Sequence, residues 1–167
     1  MIEKLTAAVM AAIGLVAFVA AAPASECSRA DALGTSRVLA VDPAASPRVG
    51  LKSFPQTLPL ADREVVLTFD DGPWPGTLSK VLATLASECV RATFFLIGKP
   101  ASEHPALVRR IAAEGHTIGH HTWTHHNLKY MKPNDTDVEI DKGIAANEMA
   151  LHGVSTTIPS TPFFRFP

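Results

Sequence analysis

The run Val65-Val66-Leu67-Thr68-Phe69 stops abruptly at Asp70-Asp71-Gly72-Pro73. An apolar, β-branched run without polar alternation reads as a strand covered on both faces, the kind found in parallel sheets under helices. Gly72-Pro73 and Pro75-Gly76 force a turn after it. Thr77 can cap a helix from about Leu78 to Glu88, with Leu78, Val81, Leu82 and Leu85 on one apolar stripe. Ala92–Ile97 reads as the next strand. Pro105–Glu114 reads as a helix stopped by Gly115, and His116–Gly119 as a third strand. Asn134 or Asp135 can cap a further helix to His152, ended by Gly153, and Phe163–Phe166 reads as a last strand. The order β-α-β-α-β-loop-α-β predicts an α/β fold, with parallel strands joined by helical crossovers. Such folds gather chemistry at the C-terminal strand ends, where Asp70, Asp71, His121, His125 and Arg165 all fall.

The residues before this pattern have another character. Leu5–Ala22 is almost wholly apolar, follows Lys4, and ends in Ala22-Pro23-Ala24, with small residues at the −3 and −1 positions of a cleavage site. Residues 1–24 are expected to be a signal peptide, which places the protein in the periplasm or outside the cell with no stable membrane association after cleavage; an uncleaved anchor is the competing reading. Residues 25–61, punctuated by Pro43, Pro47, Pro55 and Pro59, are expected to be extended or partly disordered, with one short strand at Arg37–Val41. The folded domain is residues 62–167. Cys27 and Cys89 could pair in an exported protein or remain as two free thiols. A net charge of −1 with no dense basic run argues against a nucleic-acid partner.

One carboxylate and two imidazoles make a ligand set for a zinc-like ion with open positions, and a second carboxylate beside them can serve as a base toward water. At a strand end both Asp70 and Asp71 can reach one central point. Asp, Gly and Pro are also ordinary turn residues, so Asp-Asp-Gly-Pro alone specifies only a turn. His121 and His125 can face one ion from one helical turn or a tight loop, but His116 and His120 share the i, i+4 spacing, so spacing does not choose between them. The hydroxyls of Thr122 and Thr124 can fix the loop backbone or an imidazole tautomer. His116 suits a buried, hydrogen-bonded place in the strand. His120 alternates in direction with His121 and points away. His104, His126 and His152 read as surface histidines.

Thr68-Phe69-Asp70-Asp71-Gly72-Pro73 resembles the first signature of the NodB-type polysaccharide deacetylases, carbohydrate esterase family four. His121-Thr122-Trp123-Thr124-His125 resembles the second, His-Ser/Thr-x-x-His, and Arg165-Phe166-Pro167 the start of the third, Arg-x-Pro. The resemblance runs from about Glu64 to the last residue. It implies a distorted (β/α) barrel, a divalent metal, most often zinc, and removal of acetyl groups from N-acetylated, in some members O-acetylated, polysaccharides or oligosaccharides. Carried over by position, Asp70 matches the catalytic base, Asp71, His121 and His125 the metal ligands, and Arg165 the arginine that orients the base. Trp74 beside the first motif is a candidate for stacking on sugar; Trp123 can do the same or pack into the wall. Pro167 would border the substrate. His120 stands where many members have Asn, and His126 where many have Pro.

In the family the oxyanion amide follows the proline of the third signature, and the general acid is a His on a later Leu-x-His segment. The sequence in hand ends at Pro167. It is therefore expected to be the N-terminal part of the barrel, incomplete at its C-terminus, poorly soluble and of impaired activity, since a full barrel takes roughly 200 residues or more. A non-catalytic sugar- or metal-binding remnant is the alternative.

Overall fold

The computed structural model describes Cys27, residues 29–50 and residues 52–167; the expected signal peptide lies outside the described residues. Three parallel strands, β1 (Thr68–Asp70), β2 (Thr93–Leu96) and β3 (Thr117–His120), form one sheet in the order β1-β2-β3. The crossovers are α1 (Thr77–Ser87) and the pair α2 (Gly98–Glu103) and α3 (Pro105–Ala113). A short 3₁₀ turn, Leu128–Tyr130, precedes the long α4 (Pro133–His152). The α/β expectation and the βα order hold.

Burial explains why these segments pair. Leu78, Leu82 and Leu85 of α1 and Val108 and Ile111 of α3 are buried against the sheet, where they meet Phe94, Leu96 and Ile118. Each such side chain withdrawn from water contributes about 1.5–3 kcal/mol. Val81, on the expected stripe of α1, is partly buried beside this cluster.

Several boundaries differ from the expectation. The first strand begins at Thr68, not Val65: in the parallel register Thr68 pairs with Thr93, the first residue of β2, so residues 65–67 run past the end of their partner. Val65 is accordingly 83% exposed. Thr77 is the first residue of α1, and Gly76, at φ 82°, precedes it without a side-chain cap. Likewise α4 starts on Pro133 after Lys132, so neither Asn134 nor Asp135 caps it; a proline suits the first helical turn because its missing N–H would be unbonded there anyway. The six-residue α2 is too short for an apolar period and escaped the pattern. Phe163–Phe166 makes no strand: Phe164 forms a single bridge to His120. Pro162 and Pro167 on either side lack the N–H that a longer ladder would use.

No strand forms at Arg37–Val41. The segment is instead strapped to the far end of the sheet by point contacts. Cys27 is disulfide-bonded to Cys89. Gly34 N–H donates to Glu88 O at 2.9 Å, Arg91 N–H donates to Thr35 Oγ1 at 2.7 Å, and Arg37 Nη2 donates to Glu64 Oε2 at 2.7 Å.

Gly143 on α4 lets that helix press on the loop after β3. A Cβ there would lie 2.6 Å from Thr122 O and 2.9 Å from Thr122 Cα. Gly143→Ala is therefore expected to destabilise the chain by about 1–3 kcal/mol in urea unfolding, as overpacking against backbone does. The opposing helix-propensity gain of about 0.5–1 kcal/mol is smaller, so a neutral or stabilising result would refute the contact. The strap yields a pH prediction. The Arg37 guanidinium, and then the Ala61 amide, hold Glu64 down at about 2, below its ordinary 4.5. A depressed carboxylate contributes stability above its unfolded value and loses it as pH falls through the folded one. The gap in Tm between wild type and Arg37→Ala should be present near neutrality and close as pH falls from 4.5 toward 2.

Candidate metal centre

The ends of β1 and β3 bring five of the expected residues together. The chain leaves β1 at Asp70 and turns at once, with Asp71 at φ 75° and Gly72 carbonyl accepting from Ile97 N–H at 3.0 Å. That turn swings the Asp71 carboxylate toward the loop leaving β3. Oδ1 of Asp71 lies 3.4 Å from His121 Nε2 and 3.1 Å from His125 Nε2. One donor atom from each of Asp71, His121 and His125 lies within 4.8 Å of the others, and they are the group of three or more such side chains, among the described residues, able to hold a metal ion. The two imidazoles meet edge-on with centroids 4.7 Å apart.

Arg165 is the residue that joins the two strand ends. Its Nη1 donates to Asp70 Oδ1 at 2.7 Å and to Thr68 Oγ1 at 3.0 Å. The guanidinium carbon sits 4.1 Å above the Phe95 ring of β2. Its backbone N–H donates to His120 O at 2.9 Å, and its carbonyl lies 2.7 Å from His121 Nδ1. A carbonyl only accepts, so Nδ1 of His121 carries the proton and the Nε2 lone pair faces Asp71. That is the tautomer a metal ligand needs, and this donor set of one carboxylate and two imidazoles fits a zinc-like divalent ion.

The loop between the histidines is held in a costly shape. Thr122 has φ 66° and His125 φ 63°, both in the left-handed region that a β-branched residue enters only under constraint. Thr122 Oγ1 accepts from His125 N–H at 3.1 Å, while Thr122 O and Trp123 O accept from Gly98 and Lys99 N–H at 2.9 and 3.0 Å. The Thr122 hydroxyl thus fixes the loop backbone as expected, while that of Thr124 donates to Glu139 on α4. Glu139 of α4 is buried and takes two bonds from Thr124, a residue that nothing in the sequence pattern singled out.

The other histidines separate cleanly. His120 is 2% exposed and faces Asn147, whose Nδ2 is 3.2 Å from its Nδ1. Burial pushes its pKa down, against the pull of Glu148. His116 is buried and accepts from Ala92 N–H at 3.3 Å; burial lowers its pKa too. Trp74 is 49% exposed and Pro167 partly buried, and neither hydrogen-bonds to the cluster. Trp123 is half-buried, with Lys142 Nζ 4.1 Å above its ring. An apolar groove of about 360 Å³ lined by Leu33, Phe69, Val81 and Leu85 lies on the outer edge of β1, away from these residues.

Residues 58–167 match the family model described as polysaccharide deacetylase. The chain belongs to the polysaccharide deacetylase family. It is 52% identical over 67 residues to a chitooligosaccharide deacetylase of Rhizobium leguminosarum bv. trifolii, covering 40% of this chain and 31% of that one. It is 45% identical over 84 residues to a peptidoglycan-N-acetylglucosamine deacetylase of Bacillus cereus, covering 50% of this chain and 30% of that one. Among solved structures, the peptidoglycan deacetylase PdaC of Bacillus subtilis superposes with a TM-score of 0.54 at 30% identity, over 61% of this chain and 48% of that one. The chain thus spans about a third of the length of these curated relatives, and its parallel βα units correspond to part of the deacetylase (β/α) barrel.

Proposed function

We propose that this stretch of chain supplies the metal ligands and the base of an exported deacetylase that hydrolyses the amide of N-acetylated glucosamine polymers. The observation that carries the reading is the pairing of Asp70 with Arg165 at 2.7 Å, next to the cluster of Asp71, His121 and His125. The relatives' names, which refer to chitooligosaccharides and to peptidoglycan, support the substrate class. The Cys27–Cys89 bridge supports export, since disulfides persist in oxidising compartments.

In this reading Asp71, His121 and His125 would hold a divalent ion, most often zinc. When bound there, the ion supplies a Lewis acid for an acyl oxygen and makes a water more acidic. Asp70 is placed to accept the proton of a water whose oxygen adds to the acetyl carbon. Arg165 keeps the Asp70 carboxylate pointed at the site, and its own carbonyl keeps the His121 ring in register. The bond broken is the one between acetyl carbon and sugar nitrogen; the nitrogen takes up one proton as it leaves, balancing the one Asp70 removed, and the products are acetate and a free amine.

Titrating zinc into the purified, metal-stripped chain should give one site per molecule, lost in His121→Ala and Asp71→Ala. Asp70→Asn should bind zinc as wild type does, yet, in a full-length deacetylase carrying this stretch, lower acetate release from N-acetylated chitooligosaccharides by about 10²–10⁴-fold, the usual worth of a general base. Zinc uptake unchanged by His121→Ala, or acetate release unchanged by Asp70→Asn, would overturn the assignment.

A further inference from the structure

We propose that Glu139 is a positioning residue for the metal centre: from α4 it clamps the loop that carries His125 in the strained shape that aims the ligand. The inference rests on the reading of Asp71, His121 and His125 as ligands.

Glu139 is buried, and carboxylates are rarely so unless their oxygens are fully engaged. Both of its oxygens are used on one residue. Oε2 accepts from Thr124 N–H at 2.9 Å and Oε1 accepts from Thr124 Oγ1 at 2.8 Å. Thr124 immediately precedes His125, so this two-point grip holds both the backbone N–H and the side chain of the residue next to the ligand. Hydrogen bonds to an ionised acceptor are about twice as strong as neutral ones.

The loop needs such a grip. Thr122 and His125 both stand at positive φ, and residues held there cost of order 1–3 kcal/mol each unless the surroundings over-determine them. The remaining restraints act on the first half of the loop: Thr122 O and Trp123 O accept from Gly98 and Lys99, and the bare face of Gly143 admits the Thr122 backbone. In the second half, Thr122 Oγ1 accepts from His125 N–H, a contact made within the loop itself. Glu139 is what ties that half to a rigid element.

His126 extends the clamp. Its Nδ1 lies 2.6 Å from Thr124 Oγ1. That hydroxyl has one proton and gives it to Glu139, so it accepts from His126, whose Nδ1 carries the hydrogen. The chain Nδ1–H···Oγ1–H···carboxylate therefore spans the outer rim of the centre.

The test compares wild type with Glu139→Ala, Glu139→Gln and Thr124→Val. Zinc affinity is measured by competition with a chelating dye, and amide hydrogen exchange is followed in the metal-free chain. Outer groups that orient a ligand are typically worth 10–100-fold in metal affinity, so Glu139→Ala should weaken zinc by about that factor. It should also speed exchange in the peptide 121–127 while leaving that of α4 unchanged. Glu139→Gln, which keeps an acceptor, should lose less. Thr124→Val, which keeps the N–H and removes the hydroxyl's bond to Glu139 and its contact with His126, should lose a few-fold and covers the case in which the α4 variants do not fold. Wild-type affinity together with wild-type loop protection in Glu139→Ala and Thr124→Val would overturn the clamp. If the wild-type chain takes up no zinc, the ligand assignment itself falls, and loop exchange in the same variants still decides whether Glu139 holds the loop.

Discussion

Arg165 meets four hydrogen-bond partners from a single backbone position, and it joins the two strand ends that carry the candidate site. Its side chain reaches across to Asp70 and Thr68 at the end of β1, its N–H and carbonyl engage His120 and His121 at the end of β3, and Phe95 of β2 supports the guanidinium from below. The ion pair with Asp70 is more than a third exposed on both sides, so its worth in stability is small. Its importance is geometric. A planar guanidinium stacked on a ring and bonded to two strand residues has little freedom, and the backbone of the same residue sets the His121 tautomer. One residue thereby couples the orientation of the Asp70 carboxylate to that of the His121 imidazole.

Close backbone approach does for the loop what Arg165 does for the strands. A Cβ on Gly98 would lie 2.8 Å from Gly143 Cα, and one on Gly143 would enter the Thr122 backbone. Two bare positions therefore let α2, α4 and the histidine loop meet at one point. Gly119 plays the same part within the sheet, where a Cβ would fall 2.7 Å from the Phe95 ring that carries Arg165. The positive φ values of Thr122 and His125 are sustained by this packing together with Glu139. Strain stored at ligand positions and offset by a rigid frame is a common way to keep a site open for a ligand rather than collapsed on itself.

Much of this was legible in the order of residues, and most of the exceptions share a cause. The apolar runs near Phe69, Phe94 and Ile118 marked the strands because burial on both faces leaves a continuous signal. The stripes of α1 and α3 marked their helices for the same reason. The positions of Asp70, Asp71, His121 and His125 at or just past strand ends followed from topology, whereas Arg165 reaches them from a segment that forms only a single bridge to β3. Most of what failed depends on a partner distant in sequence; the helix starts failed locally, because α1 and α4 begin without a side-chain cap. Val65 had the composition of a strand but no β2 residue opposite it. Phe163–Phe166 had it too, and found one residue to pair with. The choice of His121 over His120 was not visible in spacing, and it came from alternation along β3. The disulfide between Cys27 and Cys89 was one of two open readings. Glu139 gave no signal, because an acidic residue on a helix is ordinarily a solvated one.

The distribution of restraints along the strands is uneven in a way that bears on how such a chain can change. The covalent bridge and the contacts of Thr35 and Arg37 all engage residues that precede β1 and β2, at the N-terminal strand ends. The carboxylates, the imidazoles and Arg165 occupy the opposite ends. In parallel βα architectures the first end governs stability and the second carries chemistry. The strap can therefore hold the far end of the sheet while the loops after the strands carry left-handed backbone, exposed carboxylates and half-exposed rings. Those features cost stability locally, and they are placed where α2, α4 and Arg165 offset them.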